Sequence, residues 1–281
     1  MLWGDKMYFN KLKGSFFIER KRRNFYVNMK EPHYHEHYEI YFLLSGNRKY
    51  FINHSIYNVT KGDIITIENN VLHKTIAVSS DVHERIVLNF TPEFIMPVLN
   101  DEYKITLLNC FKEHKFSIPP NKRDYVLFLF TRMNEEFQNN CEFSYDIIRH
   151  YLFELLVFLN KCSQANKELT VKLNISEERI RNAAKYICDN YNKRITLQDA
   201  ANIAFMSPTY FSKKFRKTTG FRFTEYLNNI RIIEACKLLT TTNYSITDIA
   251  FMCGFNDSNY FGEVFRKMKK TSPTNYRIKH G

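Results

Sequence analysis

Apolar and polar positions divide the chain into three regions. In the first, residues 1 to about 100, short apolar segments alternate with turn residues. Phe16–Ile18, Asn24–Val27, Glu39–Leu44, Lys49–Ile52, Ile56–Val59, Asp63–Ile67, Lys74–Val78 and Arg85–Phe90 read as strands. Ser45-Gly46-Asn47, Asn53-His54, Lys61-Gly62-Asp63 and Asn69-Asn70 separate several of them. Many short strands with frequent turns predict a sandwich or barrel. The period then lengthens to that of a helix. Thr91-Pro92-Glu93 reads as a helix start, with Thr as cap and Pro at the first helical position. Pro119-Pro120 interrupts the chain, and helices are expected over 121–138 and 144–161. The second has Ile147, Ile148, Tyr151, Leu152, Leu155, Leu156 and Leu159 at helical spacing, a stripe that must be buried. Cys162 to Asn174 is polar, lacks a sustained period and reads as a linker.

The last third is helical and contains a repeat. Ser176 opens a helix whose apolar face is Ile180, Ala183, Ala184, Ile187 and Tyr191. Thr196 caps the next, with Asp199 reaching back as in a capping box. Ala200, Ala201 and Ala204 keep that helix slim. Ser207-Pro208 starts a third helix, and Gly220 stops it. Phe223 to Thr240 reads as a long helix, after which the pattern returns. TLQDAANIAFMSPTYFSKKFRK, from Thr196, is echoed by SITDIAFMCGFNDSNYFGEVFRK, from Ser245. The offset is 49 residues at the start and 50 at the end, so the second copy has one extra turn residue. Each copy is a small-residue helix, a short turn and a helix beginning at Ser207 or Asp257, which is a helix-turn-helix pattern. Phe211, Phe215, Phe261 and Phe265 face inward; the polar positions between them face out.

At 281 residues the chain is expected to hold about two domains. Its formal charge of +12 favours an anionic partner. Residues 176–281 hold 18 Lys and Arg against 9 Asp and Glu, whereas residues 1–175 hold 23 against 20. The excess therefore lies with the repeat. Cys110, Cys141, Cys162, Cys188, Cys236 and Cys253 form no CxxC pair and read as free thiols of a reducing cytoplasm. No apolar signal core opens the chain, and its longest apolar run, Tyr151 to Leu159, contains Glu154. A cytoplasmic protein without a membrane partner is expected.

In the first region His33-x-His35-x3-Glu39-x6-Gly46 is followed by Gly62-x5-Glu68-x-Asn70-x2-His73. This resembles the two cupin motifs in spacing. The resemblance implies that His33, His35, Glu39 and His73 converge inside a barrel, where imidazole and carboxylate suit a transition metal. Val27, Glu68, Asn70 and Ala77 depart from the motifs. The expectation is therefore no metal or other cofactor, with the barrel mouth as a small-molecule pocket. Its polar candidates are His33, His35, Glu39, Arg48 and His73. Tyr34, Tyr41 and Tyr50 are aromatic candidates for stacking on a sugar, and each also reads as core.

The motifs of residues 176–280 resemble the DNA-binding domain of AraC/XylS-type transcription regulators. They run Ile195-Thr-Leu-x-x-Ala-x3-Phe-Met-Ser-Pro-x-Tyr-Phe-Ser-Lys-x-Phe-Arg-Lys-x-x-Gly220, then Arg231-x3-Ala235-x2-Leu-Leu. They continue with Ile249-Ala-x3-Gly-Phe-x-Asp-x-x-Tyr-Phe-x-x-x-Phe-Arg-Lys267 and end with Ser272-Pro273-x3-Arg277. Lys270 stands where the family usually has Gly. The resemblance implies an α+β protein of two domains: a cupin-like effector-binding β-barrel over 1–100 with a helical dimerisation region over 101–165, then a linker over 166–175 and an all-α tandem helix-turn-helix domain over 176–281. It favours a homodimer contact for Ile148, Leu152, Leu155 and Leu159 over packing on the barrel. It implies base contacts from Thr209, Ser212, Lys213, Ser258, Asn259 and Glu263. Lys214, Arg216, Lys217, Arg266, Lys267, Lys269 and Lys270 are placed for phosphates. Lys213 is matched by Glu263, so the first copy is expected to dominate affinity. Double-stranded DNA, a small effector with sugars as candidates, and RNA polymerase are the implied partners. The implied role is a transcription regulator, activation being the commoner outcome, with no catalytic residues. The competing readings are a metal-dependent cupin enzyme with a DNA-binding tail, and a DNA-organising protein without effector.

Overall fold

A computed structural model describes residues 15–23, 35–78, 82–100, 103, 106–165 and 175–280. The expected strand Asn24–Val27, the motif residue His33, Tyr34 and the linker segment 166–174 lie outside these. The chain divides into two compact units, residues 1–52 with 57–172 and residues 173–281 with the short segment 53–56.

The first unit has two antiparallel sheets. Strands β1 (Phe16–Arg23), β7 (His83–Phe90), β2 (Tyr38–Ser45), β5 (Asp63–Ile67) and β8 (Lys115–Ser117) form one in that order; β4 (Ser55–Val59), β3 (Arg48–Ile52) and β6 (His73–Ala77) form the other. Seven strands were legible in part or whole from alternation; β8, three residues long, is too short to carry a period. β2 and β5 are buried along almost their whole length because both faces are covered. One face of the larger sheet, with Ile18, Ile40, Phe42, Ile64, Ile86 and Leu88, packs beneath two helices. The other face meets the smaller sheet through Tyr41, Leu43, Ile65 and Val87 against Tyr50 and Ile52. A short helix α1 (Pro92–Ile95) and two 3-10 segments follow β7.

The two covering helices are α2 (Pro120–Asn139) and α3 (Ser144–Ala165). Ile148, Leu152, Leu155, Leu156 and Leu159 are all 0% exposed and belong to the same core as the outer sheet face and Val126, Leu129 and Phe130 of α2. This corrects the expected dimer stripe: the four residues named for a partner subunit are consumed inside their own unit. Fully burying each such side chain contributes roughly 1.5–3 kcal/mol, which a sheet face of Ile, Leu and Phe supplies without a second chain.

The second unit is helical: α4 (Ile175–Asp189), α5 (Leu197–Ile203), α6 (Pro208–Thr219), α7 (Phe223–Thr241), α8 (Ile246–Met252), α9 (Ser258–Lys269) and α10 (Pro273–His280). α7 is buried around most of its circumference, from Tyr226 and Leu227 to Ala235, Cys236 and Leu239. That fits a helix serving two bundles at once. Leu238, read as core, is only half-buried. No described helix is long and apolar enough to cross a membrane.

Candidate nucleic-acid interface and ligand site

The two helix-turn-helix copies share the hydroxyl cap and the turn bonding, while the reciprocal bond from cap amide to carboxylate is made in the first copy. In the first, the Thr196 hydroxyl accepts from the Asp199 amide at 3.2 Å, and the Asp199 carboxylate accepts from the Thr196 amide at 2.8 Å. In the second, the Ser245 hydroxyl accepts from the Asp248 amide at 3.0 Å and donates to its carboxylate at 2.6 Å. The turns match atom for atom. Met206 N donates to Ala201 O and Phe205 N to Asn202 O; Phe255 N donates to Ala250 O and Gly254 N to Phe251 O. Phe205 and Gly254, at φ 53° and 83°, are the left-handed residues that reverse the chain. The extra residue of the second copy, Asn256, therefore falls after the reversal, between Phe255 and the cap Asp257. Ser207 and Asp257 then cap α6 and α9 by accepting from the amides of Tyr210 and Tyr260.

The capping fixes which side chains point out. Phe211, Phe215, Phe261 and Phe265 are fully buried. Thr209, Ser212, Lys213, Asn259 and Glu263 are exposed, and Ser258 is intermediate. Arg216, Lys217, Arg266, Lys267 and Lys270 are exposed; Lys214 and Lys269 are intermediate. α9 ends as α6 does. Lys270 adopts φ 60° and its amide donates to Arg266 O, as Gly220 at φ 80° donates to Arg216 O. The departure from Gly thus leaves the helix end unchanged.

Two arginine contacts, one from the buried Arg231 and one from the half-buried Arg277, were not anticipated. Arg231 of α7 donates to Tyr191 O at 2.9 Å and Lys193 O at 3.0 Å, and its guanidinium lies 5.4 Å from the Phe255 ring. Arg277 of α10 donates to Leu239 O at 3.3 Å and Tyr244 O at 2.6 Å. In each bundle the last helix thus caps the chain leaving the first, and α7 is last helix of one bundle and first of the next. In sequence both stood only as motif positions, Arg231 within an apolar helix and Arg277 beside Lys279 and His280.

In the first unit His35, Glu39 and His73 come together, their ligand-type atoms all within 4.8 Å of one another. His35 Nε2 is 3.3 Å from Glu39 Oε2. The Nδ1 atoms of His35 and His73 lie 2.9 and 2.8 Å from the carbonyls of His37 and Val71. Neutral rings donating there turn Nε2 inward as a lone pair. Such an arrangement suits a divalent transition metal, and an imidazolium at His35 satisfies the same two contacts. Tyr41 and Arg48, also expected in the pocket, lie farther along the same inter-sheet face, Arg48 at the start of β3. Tyr41 and Tyr50 are buried edge-to-face, with ring centroids 5.0 Å apart. The expected pocket list omitted Arg85 and His83. Their places in β7 alternate with Ile86 and Leu88, so strand parity alone assigned them to the inner face.

Comparison with known proteins agrees with both halves. Residues 18–116 match the family model described as an AraC-like ligand binding domain, and residues 200–279 the model described as a helix-turn-helix domain. The uncharacterized HTH-type transcriptional regulator YijO of Escherichia coli (strain K12) is 40% identical over 92 residues, 33% of this chain and 32% of that protein. The HTH-type transcriptional activator RhaR of Mannheimia succiniciproducens is 24% identical over 270 residues, 94% of each chain. The lactose operon transcription activator of Staphylococcus xylosus is 31% identical over 153 residues, 54% of this chain and 53% of that one. The YijO match thus spans about a third of that relative's length. With a match to an AraC-like ligand binding domain ahead of a match to a helix-turn-helix domain, this chain has the two-domain organisation of AraC-type transcription regulators.

Proposed function

We propose that the protein is an effector-responsive transcription activator whose two reader helices, α6 and α9, enter successive major grooves on one face of DNA. The observation that carries this is the matched pair of turns joined by α7. Its 19 residues span about 28 Å at ~1.5 Å per residue, close to the ~34 Å repeat of B-DNA. Base edges are read by Thr209, Ser212 and Lys213 in one groove and Ser258, Asn259 and Glu263 in the next. Lys213 suits guanine O6 and N7, Asn259 adenine N6 and N7, and Glu263 the cytosine amine. Lys214, Arg216, Lys217, Arg266, Lys267, Lys269 and Lys270 contact phosphates and make affinity salt-dependent. Activation rather than repression is supported by the names of the two relatives called activators. The effector is a small metabolite of sugar type, supported by the relative named for a lactose operon, and it acts by binding two arrangements of the protein with different affinity.

Site selection on wild type and Lys213→Ala tests the DNA reading. The variant is expected to lose discrimination at one base position by ~1–3 kcal/mol and to keep it elsewhere. Log K is expected to fall steeply and linearly with log salt. Uniform weakening on all sequences removes the base-reading role of Lys213, and a flat salt response removes the DNA model.

A second reading is favoured by the His35, Glu39 and His73 cluster: a divalent transition ion held inside the first unit, where it would order the pocket or act as a Lewis acid. Near-stoichiometric metal in elemental analysis of purified protein, lost in His73→Ala, supports it; substoichiometric metal unaffected by that substitution refutes it.

A further inference from the structure

The inner face of the first unit carries several cations, and among them Arg48 Nε and Arg85 Nη1 meet no acceptor. Alternation along β7 sends Ile86, Leu88 and Phe90 beneath the helices and turns His83, Arg85, Val87 and Asn89 to the opposite face. β1 runs alongside, with Arg23 opposite His83 and Lys21 opposite Arg85. Arg48 comes from the other sheet, on the same face of β3 as Tyr50 and Ile52, which pack in the inter-sheet cluster.

Among the described residues Glu39 faces His35 on this side of the sheet, and Glu19 serves three of the cations. Glu19 lies 3.0 Å from Lys21, 3.7 Å from Arg85 and 4.0 Å from Arg23. Arg48 is 4% exposed, its Nε meets no acceptor, and among the described residues no carboxylate forms an ion pair with it. Arg85 Nη1 and the buried Tyr41 hydroxyl also lack partners, and the Arg85 guanidinium lies 5.9 Å from the Tyr41 ring centroid. The guanidiniums are near enough together that, after burial, Arg48, Arg85 and Arg23 all hold His83 down, to about 4.

A buried guanidinium without a counter-charge is costly, and its fork of donors matches the two oxygens of a carboxylate or phosphate. Tyr41 and Tyr50, packed against each other, leave little ring face for a neutral sugar to stack on. We propose that Arg48 and Arg85 bind the carboxylate or phosphate group of a small anionic metabolite between the two sheets of the first unit. Arg48 and Arg85 are not themselves members of the His35, Glu39 and His73 cluster. The proposal rests on the effector reading of this unit and narrows it from sugars at large to sugar acids, sugar phosphates and similar anions.

Thermal unfolding of the full chain at constant ionic strength tests this, with gluconate, galacturonate, citrate, glucose 6-phosphate and inorganic phosphate as anionic probes and glucose, galactose and lactose as neutral ones. At least one anion is expected to raise Tm saturably in wild type. Its apparent affinity should fall at least tenfold in Arg48→Gln and Arg85→Gln, and less in Arg48→Lys; carboxylates and phosphates in the panel separate the two sources of the oxyanion. Arg48→Met provides a readout that a structural role would move the other way: without ligand it should unfold at or above the wild-type Tm, because an uncompensated buried charge has gone. A lower Tm for Arg48→Met together with no anion effect overturns the proposal. So does a saturable anion effect that Arg48→Gln and Arg85→Gln leave unchanged, or the absence of any saturable anion effect. A neutral sugar that stabilises wild type and Arg48→Gln alike removes the anion assignment and leaves the effector role standing. DNA affinity unmoved by every probe that binds overturns the effector role itself.

Discussion

His83 illustrates how a single side chain reports its surroundings. Burial first, then Arg48, Arg85 and Arg23, lower it from 6.5 to about 4. Between those values the unfolded chain binds a proton that the folded chain refuses. Its contribution to stability is therefore complete above about 6.5 and is lost as pH falls toward 4. Urea midpoints of wild type should drop between pH 7 and pH 5, and His83→Gln should flatten part of that drop. His37, also lowered to about 4 by burial and by His35, supplies a further part, so some slope remains. A slope identical in wild type and variant would show that His83 titrates normally. None of this was readable from sequence: a His in a strand has a face, but only the fold brings three arginines beside it.

At the scale of elements, caps and turns decide the outcome. Lys270 pays the left-handed penalty that Gly220 avoids at the equivalent helix end. Lys270→Gly should therefore stabilise the second unit by about 0.5–1 kcal/mol, read as a higher urea midpoint. Gly254→Ala should do the reverse, since a Cβ there would sit 2.6 Å from Tyr191 O as well as at φ 83°. Equal effects of opposite substitutions in these two turns would contradict the shared geometry. The elements themselves were largely legible. Ser-Pro before α6, Asp before α9 and the Thr-x-x-Asp box name helix starts because the capping groups are local in sequence. α3 shows the limit. Its stripe requires burial, yet a helical period carries no information about what covers it; the outer face of the larger sheet was the nearer partner.

At the largest scale, one side chain organises the second unit. Arg231 joins the end of α4 to α7 and to Phe255 in the second turn, so it ties the two readers to one scaffold. Arg231→Ala removes the donor from two carbonyls and the cation from the Phe255 ring, and should cost about 2–4 kcal/mol by chemical denaturation. Arg231→Lys should recover little, since an ammonium cannot serve both carbonyls and stack on the ring. A cost under ~0.5 kcal/mol for either would reduce the contact to a surface one. A homodimer would require a face other than the buried α3 stripe. Phe128 is 52% exposed and Tyr125 38%, beside the half-buried Tyr151 and Phe158, with Phe128–Tyr151 and Tyr125–Phe158 ring pairs at 6.1 and 5.6 Å. We expect Phe128→Glu to weaken self-association at least tenfold in sedimentation equilibrium while the monomer stays folded. Leu152→Ala should instead lower stability by ~2–5 kcal/mol. Unchanged association in Phe128→Glu would free this face of a dimer role.

The sequence by itself determined the tandem repeat, the seven longer strands, the helix starts and the basic balance of the last third. These follow from periodicity, capping and net charge, which are properties of neighbours along the chain. Tertiary structure alone decided that the α3 stripe is internal, that Arg231 and Arg277 cap distant helix ends, and that Arg23, Arg48 and Arg85 crowd one buried face. Those facts depend on which surfaces meet. A chain fixes the need to bury a side chain or pair a charge locally, and only the closed fold supplies the surface or the missing partner.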